Sequence, residues 1–394
     1  MTDDSTTTNI DNRGGGNNTL SSIGKTILEN MISGKFKRNV TPFKPSSPDA
    51  ASFNLDFYAE RDKCLKEKRL FEDPEFPACD LAIYYDKKPA VVIDWKRPSN
   101  IAKNPQLIVD THSRFDVKQG QWLGDCWLLA AVATLTLRDE LFFRVVPPDQ
   151  SFTEKYAGIF HFQFWRYGKW VDVVIDDLLP TVNGGLYSMH SADNNEFWSA
   201  LLEKAYAKMY GSYENLHGGS GEEALEDFTG GFTEYFDRNR IRPLALISML
   251  DRGFSSRDSL FGCSFAPHAL MLDNGLKSGL MGAHDYSITD VRTIKHEGRD
   301  QTLLRIRNPW GNSREWKGKW SDIDTRWNEI SDEQRQLMHR AKDDGEFWMP
   351  FEEFWHAFQG VEVCNLTAEV MDEIYQMTGM RLSTDRQNMW KEVR

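Results

Sequence analysis

The sequence predicts a mixed α/β chain folded as two lobes, the first mainly helical and the second rich in β-strand. Three observations predict it. The run CWLLAAVATL from Cys126 is apolar on every face, as a helix sunk in a large core must be. Segments of period two, among them AHDYSITDV and QTLLRIRNPW, concentrate in the second half. Between the halves, LHGGSGEE at 216–223 gathers three glycines and a serine into a hinge-like stretch. The first lobe then runs over about 53–219 and the second over about 220–367.

Composition bounds the function. A chain of 394 residues can bury more than one core. Its 13 Trp and 24 Phe belong to a packed protein, not a disordered one. With 47 basic against 59 acidic residues the formal charge is −12, and no segment is strongly basic, which excludes nucleic acid as the main partner. The five cysteines, Cys64, Cys79, Cys126, Cys263 and Cys364, form no CxxC or CxxH pattern. That argues for free thiols in a reducing compartment, and against a disulfide framework or a zinc site. There is no apolar leader and no run of 18 apolar residues, so a soluble, cytoplasmic protein is expected.

Taken in order, residues 1–52 read as a flexible polar tail. It carries one short amphipathic helix, with Ile23, Ile27, Leu28, Met31 and Ile32 on one face, Ser22 as N-cap and Gly34 as stop. Lys35, Lys37 and Arg38 follow, so 21–38 reads as a marginal helix or, alternatively, as a transient contact for a membrane surface or a partner. FNLDFYAERDKCLKEKRLF predicts a helix, and AGIFHFQFWRYGKWVDVVIDD predicts a hairpin turning at Tyr167-Gly168. NEFWSALLEKAYAKMYGSY predicts a buried helix capped near Asn194 or Asn195. Residues 368–394 read as an extension, the start of a further domain.

The chemistry centres on Cys126. The turn LGD places it in the first turn of its helix, where unpaired N–H groups and the helix dipole favour a thiolate. A thiol also needs a base. His161, His190 and His268 read as hydrogen-bonded structural histidines. His284 begins the strand HDYSITDV, whose partner QTLLRIRN ends at Asn308, with the turn in KHEGRD. Antiparallel register places Asn308 within a residue or two of His284, able to orient one ring nitrogen while the other faces a thiol. Trp310 stands ready to shield that bond. The order Cys, His, Asn is that of papain-like proteases.

With GDCWLLAA, HSADNNEFWSALLEKAYAKMYGSYE, EDFTGG, AHDYSIT, RIRNPWG and DDGEFWM in place, the sequence resembles the calpain family of calcium-dependent cysteine proteases over roughly 53–367. The resemblance implies a papain-like two-lobed core, with Cys126 as nucleophile, His284 as base and acid, and Asn308 as orienter. The family's oxyanion glutamine corresponds to Gln119, with one extra residue at about Trp122; the alternative is Gln121. The resemblance further implies Ca²⁺ at two sites. The first uses carbonyls of Val109 and Thr111 with Asp116 and Glu196. The second uses Glu315, Asp322, Asp344 and Glu346 with the carbonyl of Lys342, and a salt link from Arg114 to Glu346 joins the two. The family usually has glycine where Thr111 stands, and the loop between Asn308 and Glu315 is one residue longer here. Read singly, Glu196 could merely complement a helix dipole and Asp322 could be a solvated charge. The implied function is calcium-dependent endoproteolysis of protein substrates through a thioester, with an inhibitor or regulatory protein as a further partner. The alternative is a catalytically silent, calcium-responsive scaffold; a transglutaminase fits less well, because its third residue is typically aspartate.

Overall fold

The alternation at 159–176 closes as a hairpin. Strand Ile159–Arg166 pairs antiparallel with Lys169–Asp176, from Ile159 opposite Asp176 to Arg166 opposite Lys169. Tyr167 and Gly168 take φ of 52° and 77°, the two positive values that a tight two-residue turn matched to strand twist requires. Helices Asp139–Val145, Trp198–Tyr210 and Gly221–Thr229 cover this hairpin. The computed structural model describes residues 21–44, 55–265, 278–282, 284–312 and 314–380.

The helix Cys126–Leu135 is buried at every position from Trp127 to Leu135. It reaches that state by packing on helix Gly221–Thr229 on one side and on strand His284–His296 on the other. The first lobe's central helix is therefore also the seat of the second lobe. That second lobe is a six-stranded sheet in the order Glu346–Pro350, Arg299–Arg307, His284–His296, Ser259–Phe265, Phe358–Asn365, Phe232–Asp237. Its own core gathers Leu246, Leu250, Phe261, Tyr286, Ile306, Phe347 and Phe358. In the central hairpin Glu297 and Gly298 form the turn, with φ of 50° and 75°. A bulge between Arg305 and Ile306 shifts the register by one, so Arg307 faces Ser287.

Across the expected boundary at 219/220 the two lobes share packing, since Leu260 and Cys364 of the sheet also join the first core. Ala224, Leu225 and Phe228 of the helix after the glycine stretch belong to the first core. Two of the three glycines there serve close approach: a Cβ on Gly219 would lie 2.4 Å from the Trp127 ring, and one on Gly221 would lie 2.1 Å from Glu362 Oε2, while Gly218 has open space and a φ of +76°. The chain crosses between lobes at Gly230-Gly231, where Gly230 has φ +69°.

The expected tail is corrected as well. Ser21, not Ser22, caps the helix Ser22–Ile32, its hydroxyl accepting from Gly24 N at 3.2 Å. The helix is docked, with Ile27 fully buried. A Cβ on Gly24 would sit 2.6 Å from the Phe143 ring, so glycine lets the backbone press onto Asp139–Val145. Asn30 Nδ2 donates to Met377 O at 2.9 Å, and Arg38 donates to Phe143 O at 3.1 Å. Residues 368–378 form a helix that packs on the first lobe. Val370, Ile374 and Met377 join the first core, and Glu373 accepts from Arg144 Nε at 2.9 Å and Trp170 Nε1 at 3.0 Å. The expectations for 1–20 and 381–394, and His268 within 266–277, lie outside the described residues. Among the described residues no helix is long and apolar enough to cross a membrane.

Candidate active site

Cys126 opens its helix, with Asp125 as the preceding residue. Its thiol meets the backbone N–H of Asp285, the residue after His284, across the lobe junction. His284 starts its strand opposite Phe265 and is buried. Its Nε2 lies 2.9 Å from Asn308 Oδ1. Asn308 is fully buried and fixed at every polar atom: N donates to Gly345 O at 2.8 Å, Nδ2 donates to Arg314 O at 3.0 Å, and Oδ1 also accepts from Trp310 N at 3.0 Å. The Trp310 ring stands edge-on to His284 with centroids 5.5 Å apart, capped by the Arg314 guanidinium at 5.0 Å. The second nitrogen, Nδ1, makes no hydrogen bond among the described residues, and none joins it to Cys126.

The thiol differs from the expectation set by its helix position. Burial, with the Asp285 charge beside it, pushes Cys126 up to about 11. Burial pushes His284 down to about 4. Desolvation leads both shifts and disfavours the charged form of each group. Gln119 lies beside the nucleophile's turn, its Nε2 donating to Leu123 O at 3.0 Å and Asp125 Oδ1 at 3.2 Å. Gln121 is exposed.

The first acidic set comes together. Asp116 and Glu196 are both buried. Burial, then the Asp116 charge, raises Glu196 to about 8, and burial raises Asp116. Glu196 lies just before the N-cap Phe197 rather than in the first helical turn, and it accepts from Val109 N at 2.6 Å and Ser191 Oγ at 2.6 Å. The carbonyls of Val109 and Thr111 accept no hydrogen bond among the described residues. Two mutually repelling carboxylates beside two idle carbonyls fit a hard oxygen-seeking cation such as Ca²⁺.

The second set fits less completely. Burial and mutual repulsion raise Glu315 to about 7 and Asp322 to about 6, and burial raises Asp344 as well. Asp322 is half-buried rather than a free surface charge, and accepts from Lys342 N at 3.1 Å. The Lys342 carbonyl already accepts from Asp344 N at 2.9 Å. Glu346 is held by Arg114 through both oxygens at 2.6 Å, and by Thr289 Oγ1 at 2.8 Å. Among the described residues, the one trio of acidic or histidine ligand atoms drawn within 4.8 Å is His296, Glu297 and Glu329, elsewhere on the surface.

The sequence reading passed over several groups. His161 proves structural as expected, stacked on Phe57 and set between Asp172 (2.9 Å) and Asp149 (3.2 Å); His190 bonds Ser188 O at 3.0 Å. Arg307, fully buried, donates Nη2 to Val117 O at 2.7 Å, while its Nε and Nη1 have no partner. Asp285 and Asp125 lie beside the thiol, and Glu203 beside Asp125, without any flag except acidic letters inside apolar runs. All five cysteines are free.

The comparisons with known proteins agree with this arrangement. The family model described as calpain family cysteine protease matches residues 71–365. Calpain clp-1 of Caenorhabditis elegans is 55% identical over 385 residues, covering 93% of this chain and 49% of that protein. Calpain-B of Drosophila melanogaster is 50% identical over 332 residues, covering 83% and 36%, and human Calpain-9 is 49% identical over 324 residues, covering 82% and 46%. The chain spans about half the length of the curated relatives it matches, or less. With the family's sequence pattern running through both lobes and the cleft between them, the chain belongs to the calpain family of cysteine proteases, and its fold is that family's protease core.

Proposed function

We propose that the chain is a calcium-dependent, cytoplasmic cysteine endopeptidase that makes limited cuts in protein substrates. The observation that carries this reading is the buried His284–Asn308 bond, presented to the helix that begins with Cys126. Asn308 Oδ1 accepts a hydrogen bond from Nε2–H, which keeps the proton on Nε2 and leaves Nδ1 as the basic nitrogen. Nδ1 removes the Cys126 proton as sulfur bonds to the substrate carbonyl carbon. The oxyanion rests on the free N–H at the helix start and on the Gln119 amide, which must turn from Asp125 to reach it. Collapse breaks the C–N bond, and His284 hands its proton to the departing amine. Water, deprotonated by the same nitrogen, then attacks the thioester and frees Cys126.

Calcium, when bound by the carbonyls of Val109 and Thr111 with Asp116 and Glu196, and by Glu315, Asp322, Asp344 and Glu346 with the carbonyl of Lys342, would supply charge that neutralises mutually repelling carboxylates in each lobe. Taking a two-lobed equilibrium from 1:99 to 99:1 needs about 5.5 kcal/mol of differential binding. Partners beyond substrate are an inhibitor or regulatory protein, and a transient membrane surface. The membrane contact rests on Ile32, Lys35 and Lys37, since Ile27 and Phe36 are buried.

A second reading, a catalytically silent calcium-responsive scaffold, is favoured by the lack, among the described residues, of a hydrogen bond between His284 Nδ1 and Cys126. A calcium titration of casein hydrolysis on wild type beside Cys126→Ala separates the two. Calcium-dependent cleavage lost in Cys126→Ala supports the protease. Wild type no faster than that variant leaves the scaffold, and equal rates in chelator and in calcium sink the switch.

A further inference from the structure

Directly behind Cys126 lie two carboxyl groups with nothing positive to pair them. Asp125 and Glu203 are 0% and 2% exposed. They are hydrogen-bonded to each other and share one hydroxyl, Ser188 Oγ lying 2.6 Å from Glu203 Oε1 and 3.5 Å from Asp125 Oδ2. Met189 N donates to both Glu203 oxygens, at 3.2 and 3.0 Å. Among the described residues no Lys, Arg or His pairs with either carboxyl. The titratable groups facing them are Cys126, Tyr187 and Tyr213, none of them a cation. A carboxylate is an acceptor only, so two carboxyls bond to one another only when one keeps a proton. Burial without a counter-charge forces the same result, since two adjacent ionised carboxylates in a dry site repel strongly.

The pair reaches the reaction through Gln119. Nε2 of that side chain is held by Asp125 Oδ1 and Leu123 O, whereas its Oε1 is buried with no donor at all. The amide's orientation therefore depends wholly on two acceptors, one of them Asp125. We propose that Asp125 and Glu203 share a single proton, and that this acid pair holds the Gln119 amide beside the start of the Cys126 helix, the position from which it turns to the oxyanion. Glu203 is thereby a positioning residue acting through Asp125. The inference rests on the reading of Gln119 as the oxyanion donor. With Glu203 gone, Asp125 must take the proton itself or stand unpaired, and in either case Gln119 loses a fixed acceptor.

Infrared spectroscopy in heavy water at neutral pH tests the proton. Wild-type-minus-variant difference spectra are expected to show a neutral-carboxyl carbonyl band for both Glu203→Gln and Asp125→Asn, each of which keeps the pair's charge at −1 and puts an amide donor in place of the proton. Bands of other protonated carboxyls such as Glu196 cancel in the difference. No such band in either difference spectrum overturns the shared proton. Kinetics tests the positioning. Glu203→Met fills the volume but donates nothing, and should lower kcat roughly tenfold or more with little change in KM; Glu203→Gln should recover most of that loss. Equal losses in the two variants, or a loss confined to KM, overturn it. Exchange of the Gln119 side-chain amide protons gives a readout independent of turnover: slow in wild type and Glu203→Gln, fast in Glu203→Met, and uniform rates refute the role. If wild type cuts nothing, the protease reading fails while the band and the exchange rates still decide the acid pair.

Discussion

Arg114 and Glu346 meet in a two-pronged ion pair across the lobe junction, Nε to Oε1 and Nη2 to Oε2, both at 2.6 Å. Arg114 belongs to the short turn Arg114–Asp116 beside the first acidic set, and Glu346 opens a strand of the six-stranded sheet. Both side chains are largely buried. Removing one partner of such a pair strands a charge, which costs about 3–5 kcal/mol. Arg305 Nε, 3.6 Å from Glu346 Oε1, softens the loss. Arg114→Ala is therefore expected to lower stability by about 3 kcal/mol in urea titration. Arg114→Lys should recover only part, because an ammonium cannot span both oxygens. A change under about 0.5 kcal/mol, the size of a surface pair, would contradict this.

Thiol reactivity should follow the neutral pair. With Cys126 raised to about 11 and His284 lowered to about 4, neither carries charge near neutral pH. In chelator, the rate of Cys126 alkylation by iodoacetamide should keep climbing as pH approaches 11. A rate already level from pH 5 to 8 would show a standing thiolate–imidazolium pair, and the burial argument would be wrong.

Folding stability should fall in alkali through His161. Burial disfavours its charge, but Asp172 and Asp149 on either side overcome that and hold it up at about 9. A histidine whose folded value exceeds the unfolded one contributes fully below pH 6.5, and the contribution is lost as pH rises through 9. The shift corresponds to roughly 3 kcal/mol. Wild type should therefore lose stability between pH 6.5 and 9, and His161→Gln should be weaker throughout, with that slope flattened. Parallel wild-type and variant curves would exclude the mechanism.

The docked N-terminal helix makes a steric prediction. Gly24→Leu puts a side chain where the Phe143 ring lies 2.6 Å from the Cβ position. Such overpacking costs about 1–3 kcal/mol. Proteolysis within 21–44 should become faster in this variant, while Ile32→Ser, at an exposed position, should leave it unaltered.

Local chemistry made some features legible. Tyr167-Gly168 and Glu297-Gly298 declare their turns because few residues accept two successive positive φ values. The nearness of His284 to Asn308 follows, to within two residues, from counting outward from the second turn. Other features depend on what the chain meets in space. Gly218, Gly219 and Gly221 look like a hinge, because close approach and looseness use the same residue; only the Trp127 ring tells them apart. The start of the helix at Trp198, after Phe197 rather than an asparagine, follows from Phe197 N and Trp198 N bonding back to Gln106 O and Leu107 O. The charge state of Cys126 was hidden too, since burial and Asp285 come from the opposite lobe.

The two places where the chain passes between lobes lie side by side. Thr233 pairs with Cys364, Phe232 pairs with Asn365, and Thr229 Oγ1 touches Cys364 Sγ at 3.2 Å. They sit at one margin of the six-stranded sheet, while Glu346 sits at the other. With five strand spacings of about 4.8 Å between, the molecule is a door: paired pins at one jamb, and a guanidinium latch about 24 Å away. His284, on the third strand from the latch side, rides partway out on that panel. A swing of about 5° carries the latch roughly 2 Å and the imidazole about half as far, and displacement near 1 Å is enough to cost a reaction about a hundredfold.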